Sequence, residues 1–155
     1  PQVHALVWRM MGSSGDASAV DDLVQDTFTR VFQSLGSFSL SGPARLSSWI
    51  LTIATRLVLN HRRKKRPALG LMPDALAGGR RADSAVRRNE IGNALARAIG
   101  QLRPASRVVV LLREYHGLSY EEIAAATEVD VGTVKSRLSR AKSKLRAALS
   151  EIHHG

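Results

Sequence analysis

The 155-residue chain contains no cysteine. Disulfides, thiolate-ligated zinc, iron–sulfur clusters and cysteine nucleophiles are thereby excluded, and a cytoplasmic location is the default expectation. No apolar run approaches the ~20 residues that a spanning helix needs, so direct membrane insertion is not expected. The opening residues, PQVHALVWRMMG, lack the basic start and cleavage pattern of a secretory signal. With no initial Met, Pro1 is expected to lie inside a longer natural chain or just after processing.

Groupings that could carry catalysis are also scarce. His4, His61 and His116 are scattered without metal-ligand spacing, and the terminal pair His153 and His154 reads as a tail. No phosphate loop of Walker type is present, and Gly78-Gly79 before Arg80-Arg81 is too weak a pattern to count. Glu121 and Glu122 are adjacent, so on a helix they diverge and make a poor acid/base pair. No nucleophile has a base nearby in the sequence. The expectation is a non-enzyme without a cofactor or a metal.

What the chain has is positive charge, unevenly spread. Net charge is +10 and the sequence pI about 11.2. Residues 1–55 carry three Arg against four Asp, whereas residues 56–155 carry twenty basic residues against nine acidic ones. The second part suits nucleic acid or an anionic surface, and the acidic first part suggests a different partner.

The organising stretch is GLSYEEIAAATEVDVGTVKSRLSRAKSKLRAAL, residues 117–149. Ser119 and Glu122 form a capping box that starts a helix with Ile123, Ala124 and Ala126 inward. After Glu128 to Asp130 a second apolar series runs through Val131, Val134, Leu138, Ala141, Leu145, Ala148 and Leu149, in steps of three and four. The opposite side is small, polar and cationic. Such a pair fits a helix-turn-helix whose second helix enters the DNA major groove. It fits a solvated basic helix in a bundle as well, and the pattern alone leaves both open.

Taken in order, residues 1–11 predict a helix with Val3, Leu6, Val7, Met10 and Met11 inward, stopped by Gly12 to Gly15. Residues 19–35 predict a second, capped by Asp16 or Ser18, with Val20, Leu23, Val24, Thr27, Phe28, Val31 and Leu35 on its apolar side. Residues 36–48 read as a loop. Residues 49–66 predict a third helix packing through Ile50, Ile53, Ala54, Leu57 and Val58 and ending in the cationic block Arg62, Arg63, Lys64, Lys65 and Arg66. Residues 67–85 read as a flexible linker. Beyond it, residues 86–100 resume a helix through Ile91, Leu95 and Ile99, and Pro104 opens another with Val108, Val109, Leu111 and Leu112 inward. The fold class is all-α, with two small helical domains, 1–66 and 86–155, joined by a flexible linker, the second containing the helix-turn-helix.

DDLVQDTFTRVF followed by WILTIATRLVLNHRRKKR resembles conserved region 2 of bacterial RNA polymerase sigma factors of the extracytoplasmic-function (ECF) type. LRPASRVVVLLREYHGLSYEEIAAATEVDVGTVKSRLSRAKSKLRAAL resembles their region 4. The resemblance covers nearly the whole chain after residue 18, in the family's order. It implies that Asp22, Gln25, Asp26 and Arg30 bind core polymerase at the clamp coiled coil of the largest subunit. It implies recognition and melting of the minus-ten element by the 36–48 loop and the helix after it, through Phe38, Arg45, Trp49, Arg56, Asn60, Arg62 and Arg63. The minus-35 element would be read by Thr133, Lys135, Ser136, Arg137, Ser139 and Arg140, with Lys142 and Lys144 as phosphate contacts or plain surface. Promoter DNA, core polymerase and an inhibitory anti-sigma factor are the implied partners. Two positions depart from the family pattern: Arg56 stands where Asn is common, and Ser139 where some relatives carry an aromatic. The competing reading is a stand-alone helix-turn-helix regulator that binds duplex DNA without polymerase.

Overall fold

A computed structural model describes residues 2–12, 16–65 and 86–153. The expected linker, together with Arg66 and His154, lies outside the described residues.

α1 (Gln2–Met11) turns Val3, Leu6, Val7, Met10 and Met11 inward and stops at Gly12, whose φ of 60° suits a residue without Cβ. α2 (Ala17–Ser34) begins two residues earlier than expected, because Asp16 is the cap: its carboxylate accepts the Ala19 amide at 2.6 Å. Val20, Leu23, Thr27 and Val31 face the core, and the Thr27 hydroxyl is satisfied by the Leu23 carbonyl at 2.7 Å. Phe28 and Leu35, expected inside, are 42% and 46% exposed, since they lie on the flank of that narrow stripe. A 3₁₀ turn, Leu35–Ser37, leads into the loop.

α3 (Leu46–Lys65) starts three residues before Trp49. Its core seam is Ser48, Leu51, Ala54, Thr55 and Val58, so Leu51 takes the buried place expected of Ile50, which with Leu57 is only partly buried. α1, α2 and α3 pack on one another as the first bundle.

In the second half, α4 (Val86–Gly100) buries Ala94, Ala98 and Ile99 and leaves Ile91, expected inside, 62% exposed. α5 (Pro104–Val110) opens with proline, whose missing N–H costs nothing in a first turn. It continues as a π-helical segment, Leu111–Tyr115, before Gly117 turns the chain at φ 68°. Arg107 is buried, and its guanidinium donates to the carbonyls of Ile99 and Gly100 at the end of α4 and of Leu102 just beyond it. α6 (Tyr120–Thr127) and α7 (Val131–His153) form the helix-turn-helix. Its reciprocal capping box is present: Glu122 N to Ser119 Oγ at 3.1 Å and Ser119 N to Glu122 Oε2 at 2.8 Å.

The two halves touch. α3 lies along α6, α1 rests on α5 and the π-helical segment, and one contiguous apolar cluster runs from Val3 to Ala141.

Candidate nucleic-acid and polymerase interface

α7 is rotated by its buried underside of Val134, Leu138 and Ala141, which turns the opposite face to solvent. Lys135, Ser139 and Arg140 are exposed there, with Ser136 and Arg137 half-buried beside them. The helix starts sharply. Glu128 adopts the left-handed conformation (φ 57°, ψ 43°) that reverses the chain after α6. Asp130 then caps α7, accepting the Thr133 amide at 2.6 Å and the Thr133 hydroxyl at 3.0 Å. These bonds hold the Asp130 carboxyl below its ordinary value, the Thr133 amide contributing most. The Thr133 hydroxyl is therefore engaged by its own cap, and Ser136 donates to the Thr133 carbonyl at 3.0 Å. Lys135 Nζ sits 5.8 Å from the Tyr120 ring, which also carries Arg113 at 4.8 Å, a stack that positions the cation at the front of the helix. Lys142 pairs with Glu114 at 3.0 Å.

Beside this face, a cleft of about 250 Å³ between the start of α5 and α7 is lined by Leu102, Arg103, Ser106, Arg140, Ala141 and Lys144. Arg103 thus joins the basic surface. It escaped the sequence reading because it lies 37 positions from Arg140 and before a different helix. Asp130 had a visible signal, an Asp three residues ahead of Thr133 at the head of an apolar series. Arg107 had none, since only the packed chain shows which carbonyls it meets.

The first half distributes its expected residues differently. Phe38 and Trp49 come together, ring centroids 5.0 Å apart at 39°, and join the loop to the start of α3. Arg45 and Asn60 are exposed. Arg56 Nη2 donates to the Ala125 carbonyl at 2.8 Å, across the contact with α6. Arg62 turns inward and donates to the carbonyls of Met10 and Met11, each at 3.1 Å, closing the end of α1. Arg63 lies 3.9 Å from Glu128. The cationic block is thus divided, with Arg62 in a structural role. On α2, Asp22, Gln25, Asp26 and Arg30 are all exposed, next to an apolar strip of Phe28 and Phe32, the latter 75% exposed. Among the described residues no helix is long and apolar enough to cross a membrane.

Comparison with known proteins agrees with this architecture. The Sigma-70 region 2 family matches residues 1–68, and the Sigma-70, region 4 family matches residues 92–145. The chain is 34% identical to the ECF RNA polymerase sigma factor SigE of Mycolicibacterium smegmatis over 97% of its own length and 58% of that protein's. It is 34% identical to SigC of Mycobacterium tuberculosis over 91% of itself and 76% of the relative, and 29% identical to SigW of Bacillus subtilis over 97% and 84%. Among solved structures it is similar to CnrH in complex with the cytosolic domain of CnrY, with a TM-score of 0.62 and 25% identity over 97% of this chain and 81% of that one. It also shares its fold with the sigma factor RpoE bound to the anti-sigma factor NepR from Bartonella quintana, with a TM-score of 0.66 and 24% identity over 96% and 92%. With two capped helical halves in the family's order and both family regions matched, the chain belongs to the ECF RNA polymerase sigma factors, which are transcription-initiation factors and not enzymes.

Proposed function

We propose that the chain binds core RNA polymerase through the α2 face of Asp22, Gln25, Asp26 and Arg30, reads the minus-35 element with α7, and engages and melts the minus-ten element with the 36–48 loop and α3. The observation that carries this reading is the α7 face, where small and cationic side chains stand outward on a helix held in register by Val134, Leu138 and Ala141. Small residues permit close approach to base edges, and Arg and Lys reach guanine and phosphate. Lys135, Ser136, Arg137, Ser139 and Arg140 make the sequence-reading contacts, while Thr133 serves chiefly to start the helix. Melting needs no catalytic group: extruding a base costs a few kcal/mol, about what an aromatic contact and phosphate contacts return. Phe38 and Trp49 supply the aromatic surface, and Arg45, Asn60 and Arg63 its polar margin. The domain boundaries follow the same division, 1–66 for polymerase and minus-ten contacts and 86–155 for minus-35 contacts. The protein works in the cytoplasm and is held inactive by an anti-sigma factor, a partner of the kind seen with the structurally similar RpoE.

The test is run-off transcription by purified bacterial core polymerase on a promoter library, with and without the chain. Chain-dependent transcripts sharing minus-35 and minus-ten motifs are the expected result. If the chain held duplex DNA tightly alone yet supported no initiation, the stand-alone regulator would replace this reading.

A further inference from the structure

The cleft of about 250 Å³ between the start of α5 and α7 has a lining that divides by chemistry. Leu102 and Ala141, 4% and 1% exposed, form an apolar floor. Arg103, Arg140 and Lys144 stand exposed around it, with Ser106 half-buried beside them. Arg140 and Lys144 are one helical turn apart on α7, and Arg103 and Ser106 are three positions apart across the start of α5. The main chain closes that start: Ser106 N donates to the Arg103 carbonyl at 2.9 Å, and the Arg103 side chain makes no capping bond. Other cations of this half are engaged within the molecule. Lys142 pairs with Glu114 at 3.0 Å, and Arg113 donates to the Leu118 carbonyl at 2.8 Å. No carboxylate lines the cleft, and among the described residues none of its three cations forms an ion pair. Like charges one turn apart on a helix repel, and Arg103 adds a third. An anion between them removes that repulsion.

We propose that this cleft is a phosphate site, in which Arg103 and Arg140 bind phosphoryl oxygens through their planar forks, Lys144 supplies a point charge and the Ser106 hydroxyl donates a hydrogen bond. Pockets for drug-sized ligands run to roughly 300–1,000 Å³, so this smaller cleft suits one phosphate or a short phosphate chain. Two sources present that chemistry: a backbone phosphate of duplex DNA lying along α7, and the phosphate chain of a free ligand. The site rests on the side chains alone, whereas the first source rests on the sigma-factor reading above. Either one acts on promoter recognition through Arg140, which the cleft shares with the reading face. A backbone phosphate extends the DNA footprint from α7 to α5. A free phosphate chain draws Arg140 away from the bases and competes with the minus-35 duplex.

The test titrates the full chain with sodium triphosphate at constant ionic strength while amide chemical shifts are followed, and separately measures minus-35 duplex binding as a function of salt. Saturable shifts should centre on Arg103, Ser106, Arg140 and Lys144. Arg103→Ala and Lys144→Ala should each weaken triphosphate binding several-fold, and both truncate exposed side chains, so the chain should remain folded. Arg146→Ala removes an exposed cation of α7 outside the cleft and should leave the affinity unchanged. The duplex arm identifies the source. Where the backbone fills the cleft, Arg103→Ala makes the slope of log affinity on log salt shallower by about one, for every sequence variant alike. Where a free phosphate chain fills it, that slope is unchanged and triphosphate displaces duplex from the wild type more readily than from Lys144→Ala. Absence of saturable binding, shifts spread evenly over the basic surface, or an equal loss in Arg146→Ala would overturn the site. Saturable binding at the cleft by a chain that supports no transcription upholds the site and removes the sigma-factor reading instead.

Discussion

α3 and α7 are the two long basic helices of the chain, and they use charge in opposite ways. α7 packs by one side only, so its cations on the other side remain exposed. α3 is packed by α1 and α2 and by α6, and three of its arginines make contacts within the chain, Arg62 half-buried and Arg56 and Arg63 still exposed. The difference shows that a run of positive charge is a statement about composition, whereas availability is a statement about packing. Arg62 closes the end of α1, Arg56 bonds the end of α6, and Arg63 lies by Glu128.

The largest effect that separates the two helices is expected from one substitution made on each. Leu138 under α7 and Leu51 under α3 are both 4% exposed. Truncating a buried Leu to Ala removes transfer energy and leaves a cavity, about 2–5 kcal/mol. Urea denaturation should find both variants destabilised in that range. Only Leu138→Ala should weaken minus-35 duplex binding, as read by fluorescence anisotropy under conditions where both variants remain folded. Equal weakening by Leu51→Ala would show that the α7 face depends on the first half.

Gly12→Ala acts on the contact between the halves. The substitution places a Cβ in a left-handed backbone, at about 1–2 kcal/mol, and against the Arg107 guanidinium, which is tied to three carbonyls and cannot swing away freely. Both a lower denaturation midpoint and a broader distance distribution between the halves are expected. A lower midpoint with an unchanged distribution would confine Gly12 to the folding of α1.

Arg140→Ala probes the open face alone. Loss of one reading contact should cost about 1–3 kcal/mol of promoter affinity and relax preference at one or two positions of the minus-35 element. Arg140 also lines the cleft with Arg103 and Lys144. A weakening that is uniform across all sequence variants, with a shallower salt dependence, would assign Arg140 to phosphate.

The helices of this fold were legible wherever one face is apolar and a cap stands at the right offset. Ser119 with Glu122, Pro104 at a first turn, and the steps of three and four along α7 all lead from residue types to observed geometry. The register of α3 was not legible. Its run of Ile50, Leu51, Ile53, Ala54, Leu57, Val58 and Leu59 is apolar around much of the helix, and periodicity cannot rank two sides that are both covered. Leu51 is core because α1 and α2 happen to lie on its side. Exposed Phe28 and Ile91 were misplaced for the converse reason, since the face available for burial was narrower than the apolar stripe. On α7, which side faces outward was legible from local pattern alone. Arg62 was not, because the carbonyls it meets are 51 and 52 positions away.

The smallest expected effect is of pH, and it falls on a brace between the halves, where the Arg9 guanidinium of α1 lies 4.7 Å from the Tyr115 ring. His116 follows the π-helical segment against α1, and its buried Nε2 has no hydrogen-bond partner among the described residues. Burial lowers its pKa from the ordinary 6.5, and the nearby Arg9 lowers it further. As pH falls, the unfolded chain therefore takes up this proton before the folded chain does. The contribution of His116 is intact above 6.5 and is lost progressively below it, down to the depressed folded value. Protonation also sets a second positive charge near Arg9, whose guanidinium stacks on Tyr115, so the contact between α1 and the π-helical segment should weaken over the same interval. Denaturation midpoints measured across that interval should slope downward towards acid in the wild type and less steeply in His116→Gln. An identical slope in both would mean that other groups, and not the brace, govern the acid limb.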